Sequence, residues 1–245
     1  MTEKSKTILL DGGMGRQLAR MGAPFRQPEW SALALMEAPA TVADAHGQFI
    51  AAGAEVITTN SYALVPFHIG EERFARDGAR LVDLCGRLAR QAADAAGRPV
   101  KVAGSLPPLF GSYRPDLFDP AAAPRLLAVL TQGLAPHIDL WLVETTSSIA
   151  EAQAAAKAAL AESAKPLWIS FTLQDDGADP AAPRLRSGET PAAAVEAALA
   201  LGAEAVLFNC SQPEVMGAAI AAARQAADRA GRPELRVGVY ANAFP

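Results

Sequence analysis

The stretch DLWLVETTSSIAEAQAAAKAALAESAKPLWISFTL, residues 139–173, contains a strand, a helix and a second strand in succession. The two outer runs are apolar on both faces, which is typical of parallel strands covered on each side. The Ala-rich middle repeats apolar residues every three or four positions, the period of a helix. The stretch therefore predicts one complete right-handed β–α–β unit.

The same alternation extends along the chain. Strands are predicted at residues 7–11, 55–60, 100–105, 139–146, 166–173, 203–210 and 235–242. Helices are predicted at residues 41–53, 71–97, 123–136, 148–164, 190–202 and 213–231. About seven such units favour a closed (β/α)8 barrel over an open sheet, which has fewer strands. We predict an α/β fold, a TIM-type barrel that is incomplete because the eighth strand is missing.

Domain organisation follows from the lack of any Ser-, Gly- or Pro-rich linker. Residues 1–245 are predicted to form a single domain, and we expect it to be truncated at the C-terminus because the sequence stops after the seventh strand. Residues 174–189 form a polar excursion between a strand and its helix. At that length, a functional loop or lid is predicted.

Composition restricts the partners. The net charge is −4 and charges of both signs are scattered, which argues against nucleic acid because phosphate binding needs clustered basic residues. The N-terminus has no long apolar stretch, so neither a membrane span nor an export signal is predicted. Two cysteines do not build a disulfide framework. We expect a cytoplasmic protein, and the sequence leaves its oligomeric state open.

Polar residues follow the apolar runs where each predicted strand ends. In a barrel these ends meet at one mouth, where reacting groups are found. The ends of greatest chemical interest are Asp11-Gly12, Thr59-Asn60, Glu144, Ser170 and Asn209-Cys210. A convergence of two carboxyl groups, a thiol, amides and hydroxyls is therefore predicted.

Each reactive side chain also has a structural alternative. Asp11 precedes two glycines and could cap the following turn. Glu144 could belong to a buried ion pair, and Cys210 could be a small buried apolar residue. Structural roles are predicted for four other residues: Cys85, His46, His68 and His137.

Several stretches together resemble the homocysteine S-methyltransferase family, which includes betaine-dependent enzymes and the homocysteine domain of cobalamin-dependent methionine synthase. They are ILLDGGMGRQL (8–18), EVITTNSY (55–62), VAGSLPPLFGSYRPDLF (102–118), LVETTSSIAEAQAA (142–155), PLWISFT (166–172), FNCSQP (208–213) and YANAF (240–244). The resemblance covers nearly the whole chain in order and implies a (β/α)8 barrel.

The resemblance implies a zinc site of three cysteines, one in an Asn-Cys pair and two in a Gly-Gly-Cys-Cys motif, with homocysteine supplying a fourth sulfur. Asn209-Cys210 matches the first element, whereas the second is absent from this sequence. One zinc ligand is thus present and two expected ligands are absent. Either the chain is a fragment, which we expect, or it is a truncated relative without zinc.

The resemblance also implies the chemistry. Zinc removes the proton of a bound thiol, and the thiolate attacks an activated methyl group. Asp11 and Glu144 would share the substrate's α-ammonium group, and Gly12 would let the backbone come close to the amino acid. We predict Cys210 as the catalytic and metal-binding residue. Predicted substrate-binding residues are Asp11, Gly12, Glu144, Asn209, Thr59, Asn60 and Ser170.

The function predicted is methyl transfer from S-methylmethionine or S-adenosylmethionine to homocysteine, giving methionine. The donor is expected near Tyr62 and the segments 107–118 and 174–189. A betaine donor would need an aromatic cage, for which Trp30 and Tyr62 are the best candidates. Two alternatives stay open: a zinc-less amino-acid-binding or assembly relative, and a metal-free lyase or isomerase with Glu144 as its base.

Overall fold

The computed structural model describes residues 7–175 and 177–242. Within them, parallel strands form one six-stranded sheet whose spatial order follows the chain. The strands are β1 (Val56–Thr58), β2 (Lys101–Leu106), β3 (Leu140–Thr146), β4 (Leu167–Thr172), β5 (Ala205–Asn209) and β6 (Arg236–Tyr240).

Helices separate the strands. They are α1 (Met14–Arg20), α2 (Ser31–Glu37), α3 (Pro39–Ala51), α4 (Pro66–Ile69), α5 (Glu71–Asp94), α6 (Ala123–Leu134), α7 (Ile149–Glu162), α8 (Pro191–Ala200) and α9 (Pro213–Arg229), with a 3₁₀ turn at Pro115–Leu117. The six predicted helices are confirmed as α3 and α5 to α9. The sequence did not predict α1, α2 and α4, since each is seven residues or shorter and shows too little of its period.

Residues 139–173, which the sequence predicts as one β–α–β unit, fold as β3, α7 and β4. A capping box begins α7: the Ser148 hydroxyl accepts from the Glu151 N–H at 3.2 Å, and a Glu151 carboxylate oxygen accepts from the Ser148 N–H at 3.0 Å. These bonds satisfy N–H groups that the first helical turn leaves without partners. The sharp change from strand to helix is thus specified locally.

The strand count differs from the prediction at the first segment. Residues 7–11 lie beside β1 but form an isolated parallel bridge, Leu10 to Val56, rather than a strand. The Asp11 N–H donates to the Val56 carbonyl at 3.0 Å, after which the chain turns through two glycines. β1 spans three residues, so little ladder is available for this segment to extend. The predicted number of seven strands is therefore not confirmed in the described residues.

The sheet is curled. Helices cover its outer face, where strand and helix side chains share one large apolar cluster. Its inner face carries a second cluster made by strand residues: Val56, Ala103, Leu140, Leu142, Trp168, Ala205 and Leu207. Leu10 at one edge and Tyr240 at the other both pack on this inner cluster. This architecture agrees with part of a TIM-type barrel, and it points the inward side chains toward one concave face.

Candidate active site

Glu144 occupies the centre of the concave face. It lies in β3 and is 9% exposed. The Ser105 hydroxyl of β2 donates to one of its carboxylate oxygens, and the Tyr240 hydroxyl of β6 donates to the other at 3.3 Å. Burial raises the pKa of Glu144, while the two hydroxyl donors oppose that rise. Neutral hydroxyls rather than a cation therefore hold this acid, so the alternative of a structural ion pair does not describe Glu144.

Asp11 adds a second carboxyl group to the same mouth. Its Oδ2 accepts from the Thr58 N–H at 2.7 Å and its Oδ1 from the Thr58 hydroxyl at 3.0 Å. Helix α1 begins at Met14 with Gly13 as its N-cap and without a side-chain cap, so the capping alternative does not describe Asp11. Burial, together with the negative charge of Glu144, raises the pKa of Asp11 to about 7. Glu144 thus lies close enough to Asp11 for its charge to affect the ionisation of that carboxyl group.

Cys210 follows β5 directly, and its side chain is half-buried. The Asn209 side-chain amide donates to its Sγ at 3.2 Å, and the Tyr113 and Thr145 hydroxyls also contact the sulfur. Burial and the nearby Glu144 raise the pKa of the thiol. The sulfur therefore faces polar groups beside an acid, whereas the fully buried Cys85 donates to a carbonyl of its own helix, as predicted.

Thr145 and Cys210 of this region, like Tyr113 with φ 65°, have left-handed backbone conformations that residues other than glycine rarely adopt. Thr145 has φ 58° and Cys210 has φ 50°. Such conformations cost free energy and cluster at functional sites. Asn209 connects them, since its amide nitrogen also donates to the Thr145 hydroxyl at 2.8 Å while its oxygen accepts from Ser170 at 2.7 Å. Asn209 and Ser170 are fully buried, so they position Cys210 from beneath.

The other predicted substrate-binding residues occupy less direct positions. The Thr59 hydroxyl accepts from the Ser105 N–H at 3.0 Å, and the Asn60 amide donates to the Ser31 carbonyl at 3.1 Å. Both are buried and occupied by protein partners. Gly12 is exposed, and a Cβ there would lie 2.9 Å from a Phe49 ring carbon. The absence of a side chain at Gly12 therefore keeps the chain close to Phe49 beside Asp11.

The sequence-based list of site residues omitted several side chains that the structure brings to this mouth. They are Ser105, Tyr113, Thr145 and Tyr240. Ser105, Thr145 and Tyr240 do stand at predicted strand ends, so a signal existed. Their positions in the sequence did not indicate how far these side chains lie from Glu144 or Cys210, however. Hydroxyl side chains are also common at the ends of strands. Tyr113 comes from the segment 107–118, where only a donor site was predicted.

Two chain segments lie over the mouth. The segment 174–189 folds back on itself, with an antiparallel bridge between Leu173 and Leu185 and a 2.9 Å bond from the Gln174 N–H to the Arg184 carbonyl. Its residue 176 lies outside the described residues. The Arg186 guanidinium lies over the Tyr113 ring at 4.6 Å, which joins this segment to the loop after β2. Segments predicted to receive the donor are thus in contact.

The two candidates for a betaine cage have other ring partners. Trp30 packs edge-on against Phe25, with ring centroids 5.7 Å apart. The Tyr62 hydroxyl bonds Ser112 at 2.6 Å, and its ring lies 6.3 Å from His68. A betaine cage made by Trp30 and Tyr62 therefore receives no support from these ring contacts.

A complete zinc site does not fit the described residues. No group of three or more His, Cys, Asp or Glu side chains that could hold a metal ion occurs in residues 7–175 and 177–242. Cys210 is the one candidate thiol there, and catalytic zinc takes at least three protein ligands. None of the described helices is long and apolar enough to span a membrane.

Known proteins are similar to this chain in sequence and in fold. A sequence profile of the family described as homocysteine S-methyltransferase matches residues 8–245. The homocysteine S-methyltransferase of Escherichia coli is 32% identical over 197 residues, which cover 71% of this chain and 61% of that protein. The selenocysteine methyltransferase of Astragalus bisulcatus is 25% identical over 211 residues, which cover 71% of this chain and 60% of that protein. These matches therefore span less than two thirds of the relatives' lengths.

The solved structure of the E. coli homocysteine methyltransferase MmuM in its metallated form superposes with a TM-score of 0.79 at 25% identity. The superposition covers 98% of this chain and 93% of that chain. It supports the assignment of the curled sheet to an incomplete TIM-type barrel.

Proposed function

The chain belongs to the homocysteine S-methyltransferase family, and on that premise we propose that it transfers a methyl group to the sulfur of homocysteine, giving methionine. The proposed donor is a sulfonium compound, S-methylmethionine or S-adenosylmethionine. One observation carries the proposal: the Cys210 sulfur and the paired acids Asp11 and Glu144 converge on one mouth of the curled sheet.

The two acids suit the α-ammonium group of homocysteine. Buried carboxyl groups that repel each other resist ionisation, and a shared cation removes that repulsion. Asp11 and Glu144 are such a pair, since the charge of Glu144 raises the pKa of Asp11. An ammonium group placed between them would lower both pKa values and be held by two carboxylates. The acids would thereby orient the substrate with its thiol toward Cys210.

The bond changes define what the site must accomplish. A lone pair of the homocysteine sulfur forms the new S–CH3 bond, while the donor's bond to that methyl breaks and its electron pair returns to the donor sulfur. The sulfonium becomes a neutral thioether, and the thiol proton of homocysteine leaves. Positioning of the two sulfur atoms in line with the methyl group is the contribution expected of the protein.

Zinc enters the proposed function through a single protein ligand of this chain. We propose that Cys210 binds zinc as a thiolate, because zinc removes the proton of coordinated thiols. The other ligands required are not among the described residues. Metal analysis of the full chain and of Cys210→Ser tests this point: loss of bound zinc in the variant supports it, and equal zinc content contradicts it.

Methionine formation from homocysteine and S-methylmethionine, followed by mass spectrometry, tests the activity. We expect the full chain to form methionine and Cys210→Ser to lose that activity by at least about a hundredfold. Cys85→Ala, at the buried cysteine, is the matched control and should keep the activity. Equal rates in the chain and in Cys210→Ser would overturn the proposal.

Glu144→Gln separates substrate binding from chemistry. We expect it to weaken homocysteine binding by at least about tenfold in calorimetry, because a carboxylate that pairs with the α-ammonium is removed. Glu204→Gln, an exposed acid just before β5, should bind homocysteine as the unaltered chain does. Unchanged affinity in Glu144→Gln would contradict the role assigned to this acid.

A second candidate function, a zinc-less amino-acid-binding relative, is favoured by the single candidate thiol of the described residues beside an intact acid pair. It predicts homocysteine binding without methionine formation and without bound zinc. The activity, calorimetry and metal measurements above therefore separate it from the methyltransferase.

A further inference from the structure

Three side chains tie together the two segments over the mouth, and we name Tyr113, Asp175 and Arg186 the clasp. Tyr113 comes from the loop after β2, whereas Asp175 and Arg186 come from the fold-back after β4. The Arg186 guanidinium carbon lies 4.6 Å from the Tyr113 ring centroid. An Arg186 guanidinium nitrogen lies 2.6 Å from Asp175 Oδ2. The clasp is therefore a cation held between an aromatic face and a carboxylate.

The clasp borders the reaction centre. The Tyr113 hydroxyl contacts the Cys210 side chain, so Arg186 is one tyrosine ring away from the sulfur. The other oxygen of Asp175 accepts from the Gln212 N–H at 2.9 Å, two residues beyond Cys210. Both charged groups thus lie on the rim of the mouth where a second substrate must enter.

The hydrogen bonding of Arg186 is incomplete. Its Nε is buried and has no hydrogen-bond partner, although the guanidinium group carries five donors. A buried donor without an acceptor costs free energy. The Arg186 and Asp175 side chains each keep 20% of their surface exposed. A ligand can therefore reach the exposed part of this pair, although not the buried Nε itself.

A guanidinium beside a carboxylate complements a zwitterion. The α-carboxylate of an amino acid matches the planar donor fork of arginine, and the α-ammonium group matches an aspartate. Four single bonds separate the sulfur of a methionine-like side chain from its carboxylate carbon, a reach on the order of 5 Å. That reach suits a ligand that holds Arg186 at one end and presents its sulfur near Cys210.

Resting on the proposed function, we propose that the clasp is the binding site for the amino-acid end of the sulfonium donor. Arg186 binds the donor's α-carboxylate and Asp175 binds its α-ammonium group, so the internal Arg186–Asp175 pair is exchanged for two pairs with the ligand. Tyr113 is the spacer between this end and the sulfur. The site thereby selects α-amino-acid sulfonium donors over sulfonium compounds that lack the ammonium group.

Calorimetry with two probes tests the assignment in the absence of homocysteine, so that no reaction occurs. S-methylmethionine carries the sulfonium, carboxylate and ammonium groups, whereas 3-(dimethylsulfonio)propionate lacks the ammonium group. We expect the full chain to bind S-methylmethionine more tightly. Arg186→Ala should weaken the binding of both probes by at least about tenfold, because it removes the partner of their shared carboxylate.

Asp175→Asn gives the distinguishing result: it should weaken the binding of S-methylmethionine and leave that of the propionate unchanged. Matched controls on the same segment are Arg184→Ala and Asp179→Asn, both at exposed positions, and they should bind both probes as the full chain does. Arg186→Lys, which keeps the charge but loses the planar fork, replaces Arg186→Ala if that variant fails to fold.

Equal affinity of the full chain and Arg186→Ala for S-methylmethionine would overturn the proposal and leave the clasp a structural contact between two loops. Lack of preference between the probes, or no binding to the full chain, would overturn it as well. These outcomes are separate from the proposed function. If the clasp variants bind S-methylmethionine normally, the clasp proposal fails but the chain can still methylate homocysteine. If the chain forms no methionine, the clasp can still bind S-methylmethionine.

Discussion

The Asn209 side-chain nitrogen lies 3.2 Å from the Cys210 sulfur, and the same nitrogen donates to the Thr145 hydroxyl at 2.8 Å. One buried amide therefore holds together Thr145 and Cys210, two residues with left-handed backbone conformations. Side chains of β3, β4 and β5 meet in this small network, since Ser170 donates to the amide oxygen. The position of the sulfur thus depends on three strands at once.

Asn209→Ala should remove this support. The Ser170 and Thr145 hydroxyls would lose a buried partner, so we expect the free energy of unfolding to fall by about 1–3 kcal/mol. Urea unfolding measures this change. The effect on the sulfur is read separately, as slower alkylation of Cys210 by iodoacetamide in the folded variant, because the Asn209 hydrogen bond that lowers the pKa of the thiol is lost. Gln212→Ala, at an exposed amide nearby, is the control, and an unchanged alkylation rate in Asn209→Ala would show that Asn209 does not position the sulfur.

Homocysteine binding should depend on pH through Asp11. Its folded-state pKa is raised to about 7, so the carboxyl group is mostly neutral below that pH and charged above it. Only the charged form attracts an ammonium group strongly. We therefore expect the affinity for homocysteine, measured by calorimetry, to increase as the pH rises through about 7. Asp11→Asn should bind weakly with a flatter pH profile, and a profile as steep as that of the unaltered chain would identify another titrating group.

His46 should weaken the fold in acid. It is fully buried in α3, neither ring nitrogen has a hydrogen-bond partner, and burial lowers its pKa from 6.5 to about 4. The unfolded chain therefore binds this proton more readily, so stability is lost as the pH falls from 6.5 through about 4. A shift of this size corresponds to a loss of about 3 kcal/mol.

Thermal unfolding of His46→Leu at two pH values measures this loss. The stability of the variant minus that of the unaltered chain should be greater at about pH 4.5 than at about pH 8. His137→Gln, which replaces a histidine hydrogen-bonded to Asp83, is the comparison at a paired position. An equal effect of His46→Leu at both pH values would show that the buried imidazole does not carry the acid sensitivity.

Alanine substitutions at Gly12 and Gly13 provide a test and its matched control. A Cβ at Gly12 would lie 2.9 Å from a Phe49 ring carbon, whereas a Cβ at Gly13 meets nothing within 4 Å. Gly12→Ala must therefore displace the ring, and we expect unfolding to become easier by about 1–3 kcal/mol together with weaker homocysteine binding. Gly13→Ala should cost less, about 0.5 kcal/mol, because alanine is a poorer N-cap than glycine at the start of α1. Similar unfolding curves for the two variants would exclude this packing effect.

The site residues other than Cys210, Asp11 and Glu144 show which parts of the site the sequence could not predict. Tyr240 and Ser105 stand at predicted strand ends, yet a one-dimensional pattern gives no distance between β2, β3 and β6. The Ser105 hydroxyl reaches Glu144 because β2 and β3 are neighbouring strands, whereas the Tyr240 hydroxyl of β6 reaches it across the curled sheet. Asn60 stands at an equally promising position, but its amide donates to the Ser31 carbonyl of a helix that the sequence did not predict.

The sequence by itself determined the alternation of strands and helices, the parallel sheet, the family resemblance, and the placing of Asp11, Glu144 and Cys210 at the ends of predicted strands. Those features follow from residue periodicity and local chemistry, which neighbouring residues encode. Tertiary structure alone decided that residues 7–11 form a bridge instead of a strand, that the Asn209 amide bonds Thr145, and that Arg186 lies on Tyr113. These contacts join residues far apart in the chain, and their distances are set by the curl of the sheet and the packing of loops over its mouth.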